Sequence, residues 1–161
     1  MNRKNLAAAV LAGLAGAAGI VGSAQAVNIN PDGLGQVLVY PYYTTNGGNV
    51  TLLSVVNTSE DAKAVKVRFM EGENTREVLD FNLYMSMFDV WTAAIYDDNG
   101  TPTLVTEDTS CTVPYLYMMG PQEFLPFALT DGGSTDIARA TESHIEMIEM
   151  GTLVDSQEGS A

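Results

Sequence analysis

The chain of 161 residues has one cysteine, one histidine and one tryptophan. Cys111 cannot close a disulfide within the chain, so no cystine framework holds the fold. As the single histidine, His144 excludes sites built on several imidazoles. Basic residues are scarce as well, seven against twenty acidic ones, and two of the seven are Arg3 and Lys4. From residue 27 onward five basic residues face twenty acidic ones, a net charge of −15. Such a surface repels phosphate backbones and excludes nucleic acid as a partner. No G-x-S-x-G stretch occurs, so the nucleophile elbow of a serine hydrolase is missing.

The opening stretch is apolar. Arg3 and Lys4 precede a run of Ala, Gly, Leu, Val and Ile, which Ser23-Ala24-Gln25-Ala26 closes. A short positive start, an apolar centre and an A-x-A end describe a secretory signal peptide, so residues 1–26 are read as removed on export. The competing reading is a membrane anchor, because about 18 apolar residues just span a bilayer. Half of this run is Ala or Gly and no charge cluster follows it. The export signal is therefore preferred, and no membrane span is expected after cleavage.

Residues 36–106 alternate as a sheet protein does. The β-prone runs are 36–43, 50–57, 63–72, 77–85, 89–96 and 101–106, with turn residues between them. "KAVKVRFMEG" places Ala64, Val65, Val67 and Phe69 on an apolar face, with Lys66, Arg68 and Glu71 mostly on the other. Pro41 marks an edge or a bend in the first run. Six short runs with regular turns predict an all-β, immunoglobulin-like antiparallel β-sandwich over residues 27–106, with Trp91 filling the core between the sheets. Strict alternation sends Tyr40 and Tyr42 to one face and Tyr43 to the other.

The remainder is less regular. Residues 107–135 carry aromatics and prolines without a period and read as an excursion with a helical turn near Met118. Residues 136–161 hold either a helix, on the stripe Ile137, Thr141, Ile145 and Ile148, or a strand over 143–150 that pairs back onto the sandwich. The strand is preferred. An unpaired thiol in an exported protein implies an intermolecular bridge, a buried inert group, or a partner in a longer chain of which this is an N-terminal part.

The candidates for chemistry are few. On a strand, His144 shares a face with Glu142 and Glu146, which is either a transition-metal site or the polar outer face of an edge strand. A Cys111–His144 dyad is the one nucleophilic arrangement the composition permits. Asp97, Asp98 and Asn99 gather oxygen ligands on a tight loop and form the candidate calcium site, against the alternative of a plain hairpin turn. Acidic loops at 59–61 and 106–110 would strengthen calcium if two such loops met at one end of the sandwich. Asn49, Asn57 and Asn99 begin N-x-[ST] triplets, read as turns.

Over "GLGQVLVYPYYTTNGGNVTLLSVVNTSEDAKAVKVRFMEGENTREVLDFNLYMSMFDVWTAAI" (33–95), and again at "HIEMIEMG" (144–151), the chain resembles a family of exported proteobacterial cell-surface proteins, the better-known members being of surface-layer type. The resemblance implies a Gram-negative bacterium, an extracellular location at the cell surface, a β-rich structural role without catalysis, and self-association or contact with other surface components. It supplies no catalytic residues. The alternatives are a secreted adhesin or carbohydrate-binding module using Tyr40–Tyr43 and the aromatic segment 115–127, and an N-terminal fragment of a secreted hydrolase.

Overall fold

The computed structural model describes Asn30 and residues 32–154. The expected signal peptide and its cleavage site lie outside these residues. Asn30 to Gly33 make a turn, with the Gly33 N–H donating to the Asn30 carbonyl.

From Leu34 on, the strands are β1 (Val37–Thr44), β2 (Thr51–Val56), β3 (Lys63–Met70), β4 (Glu77–Met85), β5 (Val90–Asp98), β6 (Thr101–Val105), β7 (Cys111–Val113), β8 (Gln122–Glu123) and β9 (Glu142–Thr152). One helical turn, α1 (Leu116–Met119), stands between β7 and β8. The strands form two antiparallel sheets, a five-stranded one in the order β1-β9-β3-β4-β7 and a four-stranded one in the order β2-β5-β6-β8. The protein is an all-β sandwich.

Alternation explains the packing. β4 buries Phe81, Leu83 and Met85 at alternate positions and Val78 at a register shift near its start, and β5 buries Trp91, Ala93 and Ile95. The two inner faces meet where Phe81 packs on Trp91 at 5.5 Å between ring centroids, with Phe69 stacked on Phe81 at 6.2 Å. Trp91 fills the core as the sequence predicts.

The preferred C-terminal strand forms, as β9, but it lies inside the five-stranded sheet between β1 and β3, so the sandwich is not confined to residues 27–106 as expected. The excursion over 107–135 also packs inward: Phe124 sits between Tyr43 and Phe69, and its backbone N–H donates to the Pro102 carbonyl. The tyrosine alternation fails too. A bulge in β1 between Tyr40 and Tyr43, at Pro41, adds a residue to the pleat. Tyr40 and Tyr43 therefore both turn inward and Tyr42 turns out.

The outer faces differ in chemistry. On the five-stranded sheet, Lys63 pairs with Glu149, Lys66 with Asp80, and Arg68 with both Glu77 and Glu146. The four-stranded sheet shows Leu52, Ser54 and Val56 beside Val90, Thr92 and Ala94, an uncharged patch that ends where β5 reaches Asp97 and Asp98. No helix among the described residues is long and apolar enough to cross a membrane.

Candidate functional site

The candidate calcium residues form the β5–β6 hairpin. Asp97 pairs with Pro102 and Asp98 with Thr101, leaving Asn99 and Gly100 as the two turn residues, with φ of 51° and 93°. Positive φ at both positions is what a two-residue hairpin turn requires, and Asn-Gly supplies it with least strain. The carboxylates serve the turn: Gly100 N–H donates to Asp97 Oδ2 at 3.2 Å, and Asn99 Nδ2 donates to Asp98 Oδ1 at 2.8 Å. A hairpin accounts for the whole motif.

The other acidic loops lie at the opposite end of β5, each bonded to the 86–89 segment. Phe88 N–H donates to the Ser59 carbonyl, and Asn57 Nδ2 bridges the carbonyls of Asp61 and Ser86. Ser110 Oγ donates to Asp108 Oδ1 at 2.5 Å and lies 3.4 Å from Asp89 Oδ2. An open cavity of about 580 Å³ is lined there by Asp89, Glu107, Asp108 and Cys111 among others. The Asp97–Asn99 turn stands one strand length away, about 27 Å. The 59–61 and 106–110 loops thus each bond to the 86–89 segment, away from that turn. Asp108 accepts from Thr92 and Ser110, and Asp89 of the 86–89 segment accepts from Ser86 and Val90. Among the described residues no group of three His, Cys, Asp or Glu side chains is placed to hold a metal ion. Asn57 is buried and its amide is committed, which removes it as a glycan acceptor.

His144 lies on β9, an interior strand rather than an edge. Its Nδ1 is 3.2 Å from Ser143 Oγ and its Nε2 is 3.8 Å from Glu146 Oε1. The flanking carboxylates are engaged elsewhere, Glu142 by the Tyr42 hydroxyl at 2.7 Å and Glu146 by Arg68 at 3.1 Å. The Cys111–His144 dyad does not form. β3 and β4 separate their strands by about 14 Å, and the register sets Cys111 level with Ala64 but His144 beside Met70, about 20 Å further along the strands. Cys111 is a free, exposed thiol.

Sequence reasoning missed the most organised polar cluster. Glu71 is 0 % exposed, and Arg139, 68 residues away, is 5 % exposed in its side chain. Arg139 Nε donates to Glu71 at 2.6 Å, while its terminal nitrogens reach Asp131 at 3.0 and 3.1 Å. Burial raises the pKa of Glu71, but Arg139 and the N–H groups of Arg76, Glu73 and Asn74 outweigh it and hold the value at about 2. Asp131 is likewise held below its ordinary range, chiefly by Arg139. Gly72 makes the approach possible, since a Cβ there would stand 2.6 Å from the Glu142 carbonyl oxygen. This cluster ties the β3–β4 turn to the segment before β9. The signal in the sequence is faint: Arg139 is the only basic residue after Arg76.

No protein-family model, curated protein or solved structure matches this chain.

Proposed function

We propose that the chain is an exported, acidic, non-catalytic cell-surface protein of structural, surface-layer-like type that works by associating with its own copies. One observation carries this reading. The described basic side chains are all engaged in ion pairs on the five-stranded sheet or in the Glu71 cluster, while β2 and the adjoining first half of β5 show an exposed, largely apolar patch without charge. On a chain of net charge −13, an exposed apolar face is the surface on which copies repel least. Fractionation of the producing cells, with protease added to intact cells, tests the location. The expected result is envelope-associated protein that external protease degrades, and recovery only in the cytoplasm would refute it. Electron microscopy of the envelope then tests for ordered arrays.

A second reading, a carbohydrate-binding or adhesive module, draws on Tyr115 and Tyr117. These exposed rings lie 6.2 Å apart and inclined by 46°, a surface on which a sugar ring can stack. Glycan-array binding lost on Tyr117→Ala would favour it.

A further inference from the structure

We propose that β2 is a homophilic edge, pairing antiparallel with β2 of a second copy across a two-fold axis and joining two four-stranded sheets into one. The inference rests on the self-associating reading above and names its interface.

A free sheet edge is a row of unpaired backbone groups, and proteins blunt it with shortness, proline, charge or bulges. Three of the four edges here carry such devices. β1 has Pro41 and its bulge, β7 has three residues followed by Pro114, and β8 has two residues. β2 has none of them. It runs regularly for six residues, and Val50–Asn57 contains neither charge nor proline. Leu52, on its outer face, is 78 % exposed.

The free backbone groups can be assigned. Asn57 N–H donates to the Asp89 carbonyl on the β5 side. By alternation Val55, Leu53 and Thr51 also bond toward β5, so Leu52, Ser54 and Val56 present their N–H and C=O groups to the open side. The Tyr40 hydroxyl donates to the Ser54 carbonyl at 2.7 Å, which agrees with that direction. A carbonyl has two lone pairs, so Ser54 keeps one for an incoming N–H.

A second copy is the occupant this strand fits. Leu52-Leu53-Ser54-Val55-Val56 reads the same from both ends by chemical type. An antiparallel two-fold centred on Ser54 sets Leu52 opposite Val56, Leu53 opposite Val55, and hydroxyl opposite hydroxyl. Every contact is then like with like, as an isologous interface requires. Three mutually bonded pairs supply about six backbone hydrogen bonds. Charge points the same way, since β2 offers an acidic or basic partner nothing to attract it. Two acidic copies meet there with no carboxylate on either strand, and Glu107 stands at the rim of the adjoining depression.

Disulfide trapping and sedimentation test the register, with the full-length gene product purified after export. In a Cys111→Ser background, Ser54→Cys places two thiols on residues about 5.5 Å apart at Cα, within disulfide reach. Leu52→Cys places them about 13 Å apart. Mild oxidation is expected to give a covalent dimer from Ser54→Cys and none from Leu52→Cys. The unmodified protein is expected to sediment as a concentration-dependent dimer, and Leu52→Lys to weaken it at least tenfold with unchanged thermal midpoint. A monomer at all concentrations, an unaffected Leu52→Lys dimer, or equal trapping at both positions would overturn the inference. Cell fractionation tests the surface location separately, so a monomer at the cell surface sinks only the β2 interface.

Discussion

Replacing Glu71 by glutamine keeps the size of the side chain and removes one acceptor oxygen from the buried cluster. Oε1 accepts the backbone N–H groups of Asn74 and Arg76 at 2.8 and 2.7 Å. Oε2 accepts the Glu73 N–H at 2.7 Å and Arg139 Nε at 2.6 Å. A carboxamide has a single oxygen, so in either orientation its NH₂ group faces two donors. Removing one member of a buried ion pair costs about 3–5 kcal/mol. The turn lies at the end of the sandwich, where water screens part of the charge, so the lower end applies, about 3 kcal/mol. Urea unfolding followed by Trp91 fluorescence at pH 7 measures it.

The pH dependence separates this mechanism from simple loss of packing. The folded pKa of Glu71, about 2, lies below its ordinary value of 4.5. A depressed carboxylate contributes its full stabilisation above the unfolded value and loses it as pH falls toward the folded one. The stability gap between the native protein and Glu71→Gln should therefore stay level above about pH 5 and close between pH 4.5 and 2. Equal stability at pH 7, or a gap undiminished near pH 2, would refute the reasoning.

Trp91→Ala should destabilise the protein by about 3–5 kcal/mol in urea unfolding followed by circular dichroism, since Trp91 is wholly buried against Phe81. Trp91→Phe, followed by circular dichroism, should cost about half that or less, because the indole N–H it deletes has no acceptor among the described residues. The double change Asp97→Asn and Asp98→Asn should cost no more than about 1.5 kcal/mol and leave association the same with calcium or with chelator. A calcium-dependent change in sedimentation that this double variant abolishes would show that the hairpin holds the ion.

Local patterns made the strands legible. The runs ending at Thr106 appear within one or two residues of their predicted bounds, because alternation and the Asn-Gly turns act over a few positions. Tyr42 was misplaced because a bulge at Pro41 breaks the period that the inference used. The C-terminal strand and its return to the sandwich were legible in the alternation over 143–150, but its interior place was not: the partners of β9 are β1 and β3, far upstream, and no local feature records that pairing. The Glu71–Arg139 contact is equally non-local. The 59–61 and 106–110 loops each bond to the loop at 86–89, a placement that alternation does not describe.

The position of β9 also sets an order in time. A chain made from its N-terminus presents β1 and β3 early, yet these strands have no direct pairing and meet only through the last strand. Until residues 142–152 have emerged, the five-stranded sheet lacks an interior member, and β1 has no strand to pair with. Contacts between segments so distant in sequence form late and slowly. Folding of the sandwich is therefore expected to wait for β9. A chain stopped at Ala140 should remain unfolded and sensitive to protease, a state that the proposed export would use to keep the chain threadable.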